Sequence, residues 1–215
     1  EKKAQLEMER AARGKHLYVF LPEPDFVTEM FDEKVTCVSV GGATTIMLYE
    51  DGGWACSAGL TTNLFNKLNG RQKSLPKPTY VSIGSNDRYY VEFADGKAEW
   101  VGCKEMSQDI EKGTSIASVA FGEDWDSYFI VFTDGGWSYK NVPSGLRDLM
   151  KRRRNKRDLK CVSLGPDGEY YVAAKNGRAW WNGMTGRAFK EVGKFRDRIT
   201  FLDFGDNNAY LFRYN

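Results

Sequence analysis

Short alternating runs of apolar and polar residues end on glycine at five places along the chain: CVSVG at Gly41, YVSIG at Gly84, SVAFG at Gly122, CVSLG at Gly165 and FLDFG at Gly205. Alternation with a period of two predicts strands, and recurrence at about forty residues marks a structural repeat. After each glycine a loop leads into an aromatic-rich strand. Four of these strands run into a turn dipeptide: Asp51-Gly52, Asp95-Gly96, Asp134-Gly135 or Asn176-Gly177. Asp-Gly and Asn-Gly favour the paired positive φ angles of a type I′ hairpin, so each predicts a bend between antiparallel strands. A third strand starts at Gly53, Lys97, Gly136 and Arg178, and a polar, in places helical, connector such as Pro143–Lys151 leads to the next unit.

Three short strands and a connector cannot bury both faces of their own sheet, so neighbouring units must stack face to face. The expected fold is therefore all-β, a five-bladed β-propeller with short helical connectors. The fifth unit stops at Tyr214-Asn215. Its missing third strand and connector are supplied by residues 14–34, because Gly14-Lys15-His16-Leu17-Tyr18 aligns with Gly135-Gly136-Trp137-Ser138-Tyr139. Pairing of the N- and C-terminal strands closes the ring and removes an open sheet edge. Residues 14–215 form the propeller. Residues 1–13, EKKAQLEMERAAR, are good helix formers outside the repeat and read as a helical tail or the end of a preceding segment.

In the second strands Tyr89, Tyr128, Tyr170 and Tyr210 occupy one register position, with Thr45 as the exception. Met47, Val91, Ile130, Val172 and Phe212 follow two residues on, and Tyr49, Phe93, Phe132, Ala174 and Tyr214 two further, all on one face packed against a neighbour. In the third strands the pairs Trp54/Cys56, Ala98/Trp100, Trp137/Tyr139, Ala179/Trp181 and His16/Tyr18 each supply an aromatic, often beside a small residue, as volume compensation in a packed layer requires. The first strands converge on the axis with Ser39, Ser82, Ala120, Ser163 and, breaking the series, Asp203. That carboxylate could line the channel as a cation ligand, but the expectation is a hydrogen-bonded structural role.

The composition restricts the partners. The chain has 215 residues, 41% hydrophobic and 28% charged, and 31 basic against 29 acidic residues leave a net charge of +2. That balance does not suit a protein coating nucleic acid, and no apolar run is long enough to insert into a membrane. Cys37, Cys56, Cys103 and Cys161 are dispersed without a CxxC pair and are expected to be buried free thiols, which makes a cytoplasmic location the default, with extracellular and nuclear locations open.

The stretch Gly165-Pro166-Asp167-Gly168-Glu169-Tyr170-Tyr171, followed by Asn176-Gly177-Arg178-Ala179-Trp180-Trp181-Asn182-Gly183, resembles a blade of the tachylectin-type lectins. The other units share only the repeat pattern. The resemblance implies a five-bladed propeller with sites between adjacent blades for N-acetylated hexosamines. The matched residues are turn and packing positions, so no sugar-contact residue carries over. The repeats here are shorter and more uneven, and one connector is basic.

Catalytic devices are not visible in the sequence. The single histidine, His16, lies in the closing strand, and there is no phosphate-binding loop, HExxH or zinc spacing. Glu123-Asp124-Trp125-Asp126 lacks the spacing of a calcium loop and reads as a solvated blade loop. No cofactor and no metal are expected. The chain thus reads as a non-catalytic binding module, a scaffold for a protein or peptide partner, since the connectors differ in length and charge from unit to unit. The alternative is a lectin, with sugar rings stacked on Trp100, Tyr139 or Trp181 and hydroxyls held by Asp95, Asp134 or Asn176. Arg152, Arg153 and Arg154 lie in the basic run Lys151–Arg157, which either closes the third connector helix or takes an anion. Six positive charges in seven residues are expected to stay on the surface.

Overall fold

The computed structural model describes residues 16–21, 26–31, 34–57, 59–71, 76–184 and 186–215; the proposed tail at 1–13 lies outside them. The chain begins with β1 (His16–Leu21) and β2 (Phe26–Phe31). Then come β3 (Val35–Gly41), β4 (Thr44–Tyr49), β5 (Trp54–Cys56) and helix α1 (Thr62–Arg71). The second unit is β6 (Pro78–Ile83), β7 (Tyr89–Phe93), β8 (Ala98–Val101) and α2 (Lys104–Glu111). The third is β9 (Ile116–Phe121), β10 (Tyr128–Phe132), β11 (Trp137–Lys140) and α3 (Ser144–Arg153). The fourth is β12 (Leu159–Leu164), β13 (Tyr170–Ala174), β14 (Ala179–Asn182) and α4 (Gly186–Lys194), before β15 (Ile199–Phe204) and β16 (Tyr210–Tyr214).

Backbone pairing groups the described strands into three-stranded antiparallel sheets β3-β4-β5, β6-β7-β8, β9-β10-β11 and β12-β13-β14, and a four-stranded sheet β15-β16-β1-β2. Five such sheets fit five propeller blades. β1 lies antiparallel to β16, with His16 opposite Tyr214 and Phe20 opposite Tyr210. The segment expected to be the fifth connector instead contains β2, a fourth strand paired with β1 from Leu21–Phe26 to His16–Phe31. The first strands lie side by side: β3 touches β6, β6 touches β9, β9 touches β12, and β15 touches both β12 and β3.

The hairpins differ from the expected type I′ turns. In all four, only the glycine takes positive φ, +91° at Gly52 and +83° at Gly96, Gly135 and Gly177. The preceding side chain is the cause: its oxygen accepts the backbone N–H two residues on, from Asp51 to Gly53 (2.8 Å), Asp95 to Lys97 (3.0 Å), Asp134 to Gly136 (2.7 Å) and Asn176 to Arg178 (3.2 Å). With the glycine N–H bonded three residues back, as from Gly96 to Phe93 O at 2.8 Å, the turn is a type I bend closed by a glycine bulge.

A second irregularity repeats in every unit. Each pairing of first and second strands shifts register beside the start of the first strand, between Val35 and Cys37, Pro78 and Tyr80, Leu159 and Cys161, Ile199 and Phe201, and at Val131/Phe132 opposite Ile116. In three units the extra residue is a threonine, Thr36, Thr79 or Thr200, whose hydroxyl donates to a carbonyl of the second strand at 3.2–3.3 Å. A bulge bends and twists a strand, as convergence on a common axis demands. The terminal glycines meet the same demand: a Cβ on Gly41 would stand 2.6 Å from the backbone of Ile83, and one on Gly205 would stand 2.5 Å from Val40 Cγ1.

β13 and β16 are buried at every residue and β7 and β10 at all but one, whereas β4 alternates buried with half-buried residues. The third-strand aromatics are half-buried against the same core, with Tyr139 stacked on Phe129 at 5.3 Å and Trp54 edge-on to Phe65 of α1 at 5.5 Å. Cys37, Cys103 and Cys161 are buried, but Cys56 is exposed, correcting the expectation for all four: it ends β5, a three-residue edge strand with no strand beyond it among the described residues.

Two charged side chains invisible to pattern reading fasten neighbouring sheets. Arg88, just before β7, is fully buried and donates to the carbonyls of Ser85, Gly122, Glu123 and Ser127, so it fills the β9–β10 loop of the next unit. The acidic stretch 123–126 is thus a loop built around a neighbour's guanidinium. Asp109 of α2 accepts from Tyr128 (2.7 Å) and Ser138 in the next sheet and from Lys112. Burial pushes its carboxyl up, but these donors outweigh it and hold it below the ordinary carboxylate range.

Since β16 is the middle strand between β15 and β1, deleting residues 210–215 strips both neighbours of their partner. The truncated chain is expected to lose its single cooperative transition in calorimetry. Retention of the full transition would contradict the role given to β16.

Candidate functional site

The sequence-predicted residues are distributed one set per unit. Asp95, Asp134 and Asn176 sit at the ends of three different hairpins, with their oxygens already accepting backbone N–H groups. The bond from Gly136 N–H, reinforced by Arg157, holds the Asp134 carboxyl below its ordinary value. Trp100 donates its indole N–H to Ser107 Oγ at 3.0 Å, fixing it to α2. Tyr139 is stacked within its own sheet. Of the candidate sugar-site residues, Trp181 is the one that lines an open groove, which it shares with Arg152 of the basic run.

That site lies along β14. Adjacent residues of a strand point to opposite faces, so Trp180 and Trp181 flank the strand on both sides. Trp180 packs toward α3, where the Arg153 guanidinium lies 4.3 Å from its ring centre. Trp181, opposite Tyr171 in β13, faces the segment after α4, with Arg196 5.7 Å from its ring. Helix α3 buries Leu146, Leu149 and Met150 and turns Arg152 outward, whereas α4 buries Ala188 and Val192 and leaves Phe189 59% exposed. Between these walls a groove of about 390 Å³ is lined by Leu149, Arg152, Tyr170, Trp180, Trp181, Phe189 and Arg196. A recess of about 470 Å³ near the hairpin adds Arg178 and Asp197. Three exposed arginines and one exposed aspartate thus line the two hollows beside two tryptophans.

The basic run divides. Lys151, Arg152 and Arg153 form the last turn of α3, as expected of cations at a helix C-terminus. Arg152 and Arg154 are exposed. Arg153 corrects the expectation of a wholly surface run: it is only 7% exposed, bonded to Asp158 at 2.6 Å and laid on Trp180. A guanidinium tolerates this because it keeps an ion pair while its flat face covers an aromatic ring.

Asp203 is buried in β15. Its Oδ2 accepts Val40 N–H at 2.8 Å and the Ser39 hydroxyl at 3.2 Å, both in β3, and its Oδ1 accepts Phe204 N–H at 3.1 Å. Ser39 Oγ in turn accepts Ile83 N–H of β6 at 3.0 Å, so one chain of bonds joins β15, β3 and β6. Burial pushes the Asp203 carboxyl up to about 7, against these three donors.

A second cleft, about 400 Å³, opens at the loop ends between Gly42, Thr44, Gly59, Ser85, Asp87 and Asp206. No spacing in the sequence signals it. Neither does spacing mark Trp180, Phe189, Arg178 and Arg196 as site residues; the available signal is the paired tryptophans in an uncharged third strand.

No family model matches the chain, and no curated protein matches its sequence. Among solved structures it is similar to YCF48 bound to D1 peptide (11% identity, TM-score 0.28), covering 69% of this chain and 48% of that one. It is also similar to the Cps50 (Swd1) β-propeller domain of Myceliophteria thermophila (9% identity, TM-score 0.34), covering 79% and 59%. A third is virginiamycin B lyase from Staphylococcus aureus (7% identity, TM-score 0.25), covering 94% and 74%. The chain spans about half the length of the first of these and about three fifths of the second. At these similarities nothing about a ligand passes to this chain.

Two outcomes follow from the buried charges. Arg153→Ala is expected to destabilise by about 2 kcal/mol, through the lost ion pair and ring contact, while Arg152→Ala and Arg154→Ala stay within about 0.5 kcal/mol. Urea melts of the three variants check this, and equal stabilities would contradict it. For Asp203 the folded-state value lies above the unfolded one, so the folded chain holds a proton that the unfolded chain has released between about pH 4 and 7. Stability relative to Asp203→Asn should therefore fall as pH rises through that window and level off above it. Paired melts at several pH values give the difference, and a flat difference would refute the raised value.

Proposed function

We propose that the chain is a closed five-bladed propeller acting as a non-catalytic scaffold that binds a protein or peptide partner in the Trp180–Trp181 groove. Closure is supported by the β1–β16 pairing and by the Asp203 bonds from β15 to β3. The observation carrying the binding assignment is the groove itself, where two tryptophans and exposed arginines converge beside an edge strand. Tryptophan and arginine are the residues that most often dominate binding energy at protein interfaces. The glycan alternative, which would use Asp95, Asp134 and Asn176, gains no support, because those oxygens are already engaged in the turns.

Co-precipitation from native extract beside a glycan array tests this. Proteins recovered by the wild-type chain are expected to be lost with Arg196→Gln at unchanged melting temperature, and with Trp181→Ala, which melts lower because the ring is half-buried against the core but still cooperatively. Recovery indifferent to both substitutions, or strong array binding with no protein recovered, would overturn the assignment.

A further inference from the structure

In the four-stranded sheet, β2 lies antiparallel along the outer edge of the third strand, β1. The third strand of the fourth sheet, β14, has the same place beside its middle strand but no strand beyond it among the described residues. Instead its edge carries the groove. We infer that β14 takes as its fourth strand an extended peptide of a partner, largely apolar and flanked by carboxylates. This rests on the groove being the binding site and adds the mode of binding and the chemistry of the ligand.

Hydrogen bonding makes the edge available. Ala174 N–H bonds Arg178 O at 2.8 Å, and in an antiparallel ladder bonded pairs alternate, so Trp180 and Asn182 turn their backbone groups toward β13. Those of Ala179 and Trp181 point outward. The sequence of β14, AWWN, carries no charge, whereas β8 contains Glu99, ion-paired with Lys67 of α1, and β11 contains Lys140, paired with Glu105 of α2. β5 is only three residues long. Charge and shortness are the ordinary guards of an exposed edge; β14, four residues long like β8 and β11, lacks the charge.

Charge complementarity selects the occupant. Arg152 and Arg196 line the groove and Arg178 and Arg196 the recess, where Asp197 is the one lining carboxylate among the described residues, so carboxylates flanking an incoming strand meet guanidinium groups, and its alternate side chains meet Trp180 and Leu149 on one side and Trp181 and Phe189 on the other. The strand already used as a fourth strand within this chain has that character: FVTEMF is flanked by Asp25 and by Asp32-Glu33.

A synthetic peptide with the sequence of residues 23–33, EPDFVTEMFDE, serves as the probe, beside a version with its carboxylates replaced by Lys and one N-methylated at alternate amides. Binding is followed by calorimetry and by amide and indole NMR shifts of the intact protein. The acidic peptide is expected to bind one to one with shifts centred on Ala179 and Trp181, and the Lys version at least ten-fold more weakly. The N-methylated version should not bind. Ala179→Pro removes an outward N–H and should weaken binding at least ten-fold. Should that variant fail to fold, Arg152→Gln with Arg196→Gln should do the same at an unchanged melt. Equal binding of the Lys or N-methylated peptide, shifts centred on β1, or self-association of the protein through β14 would overturn the inference. Absence of peptide binding while Trp181-dependent co-precipitation persists would defeat strand addition but leave the groove assignment, and loss of both would defeat both.

Discussion

A three-stranded sheet with apolar side chains on both faces is stable only between two others. That constraint shapes the whole chain. Alternate residues of the middle strands, Tyr89 with Val91 and Phe93 on one face and Tyr90 on the other, are all buried, so neither face can be left to water. Burial of one such apolar side chain is worth about 1.5–3 kcal/mol, and every unit carries several. The stability of each unit is therefore inseparable from its neighbours, which is why charged residues such as Arg88 and Asp109 reach from one unit into the next rather than close on their own sheet.

Stacking sheets around an axis crowds their first strands, and the crowding explains features that are costly in isolation. Each first strand carries a bulge, which forfeits regular pairing but supplies the bend. Gly41 and Gly205 leave room for the unit beside them. Where β15 meets β3, hydrogen bonding replaces small size: Asp203 costs desolvation, and its bonds to Val40 and Ser39 offset that cost while fastening the last unit to the first. A carboxylate in a series otherwise of Ser and Ala thus stands at the one junction where sequence neighbours do not meet.

The repeat, the strand order within each unit and the partnership of the two terminal strands could be read from spacing alone, because period-two alternation and turn residues are local signals. The hairpin type was misjudged because Asp-Gly is compatible with two turns, and the choice depends on whether the Asp side chain accepts the N–H two residues on, which spacing does not reveal. Strand β2 has no counterpart in the repeat, because the other four connectors are helical, so spacing places only a connector at FVTEMF. Of the candidate site, Trp181 and Arg152 were recognised as residue types, but only packing shows that they share a groove. Arg153, adjacent to Arg152, points the other way into the core, and no charge count separates the two.

The arginines around β14 have a second physical effect besides attraction. Two copies of this chain approaching edge to edge would bring three guanidinium groups from each into one narrow cleft, and like charges a few ångströms apart in a partly desolvated site repel strongly. An uncharged edge strand is ordinarily a hazard for self-association, yet here the guard has moved from the strand to its walls. An edge protected in that way stays open only to a strand of opposite charge, so the same three residues that discourage a second copy favour an acidic partner. Their effect is long-ranged at low salt and screened within about 8 Å at physiological ionic strength, whereas the tryptophan contacts are not screened. Selectivity would then rest on the arginines, and persistence of the complex on Trp180 and Trp181.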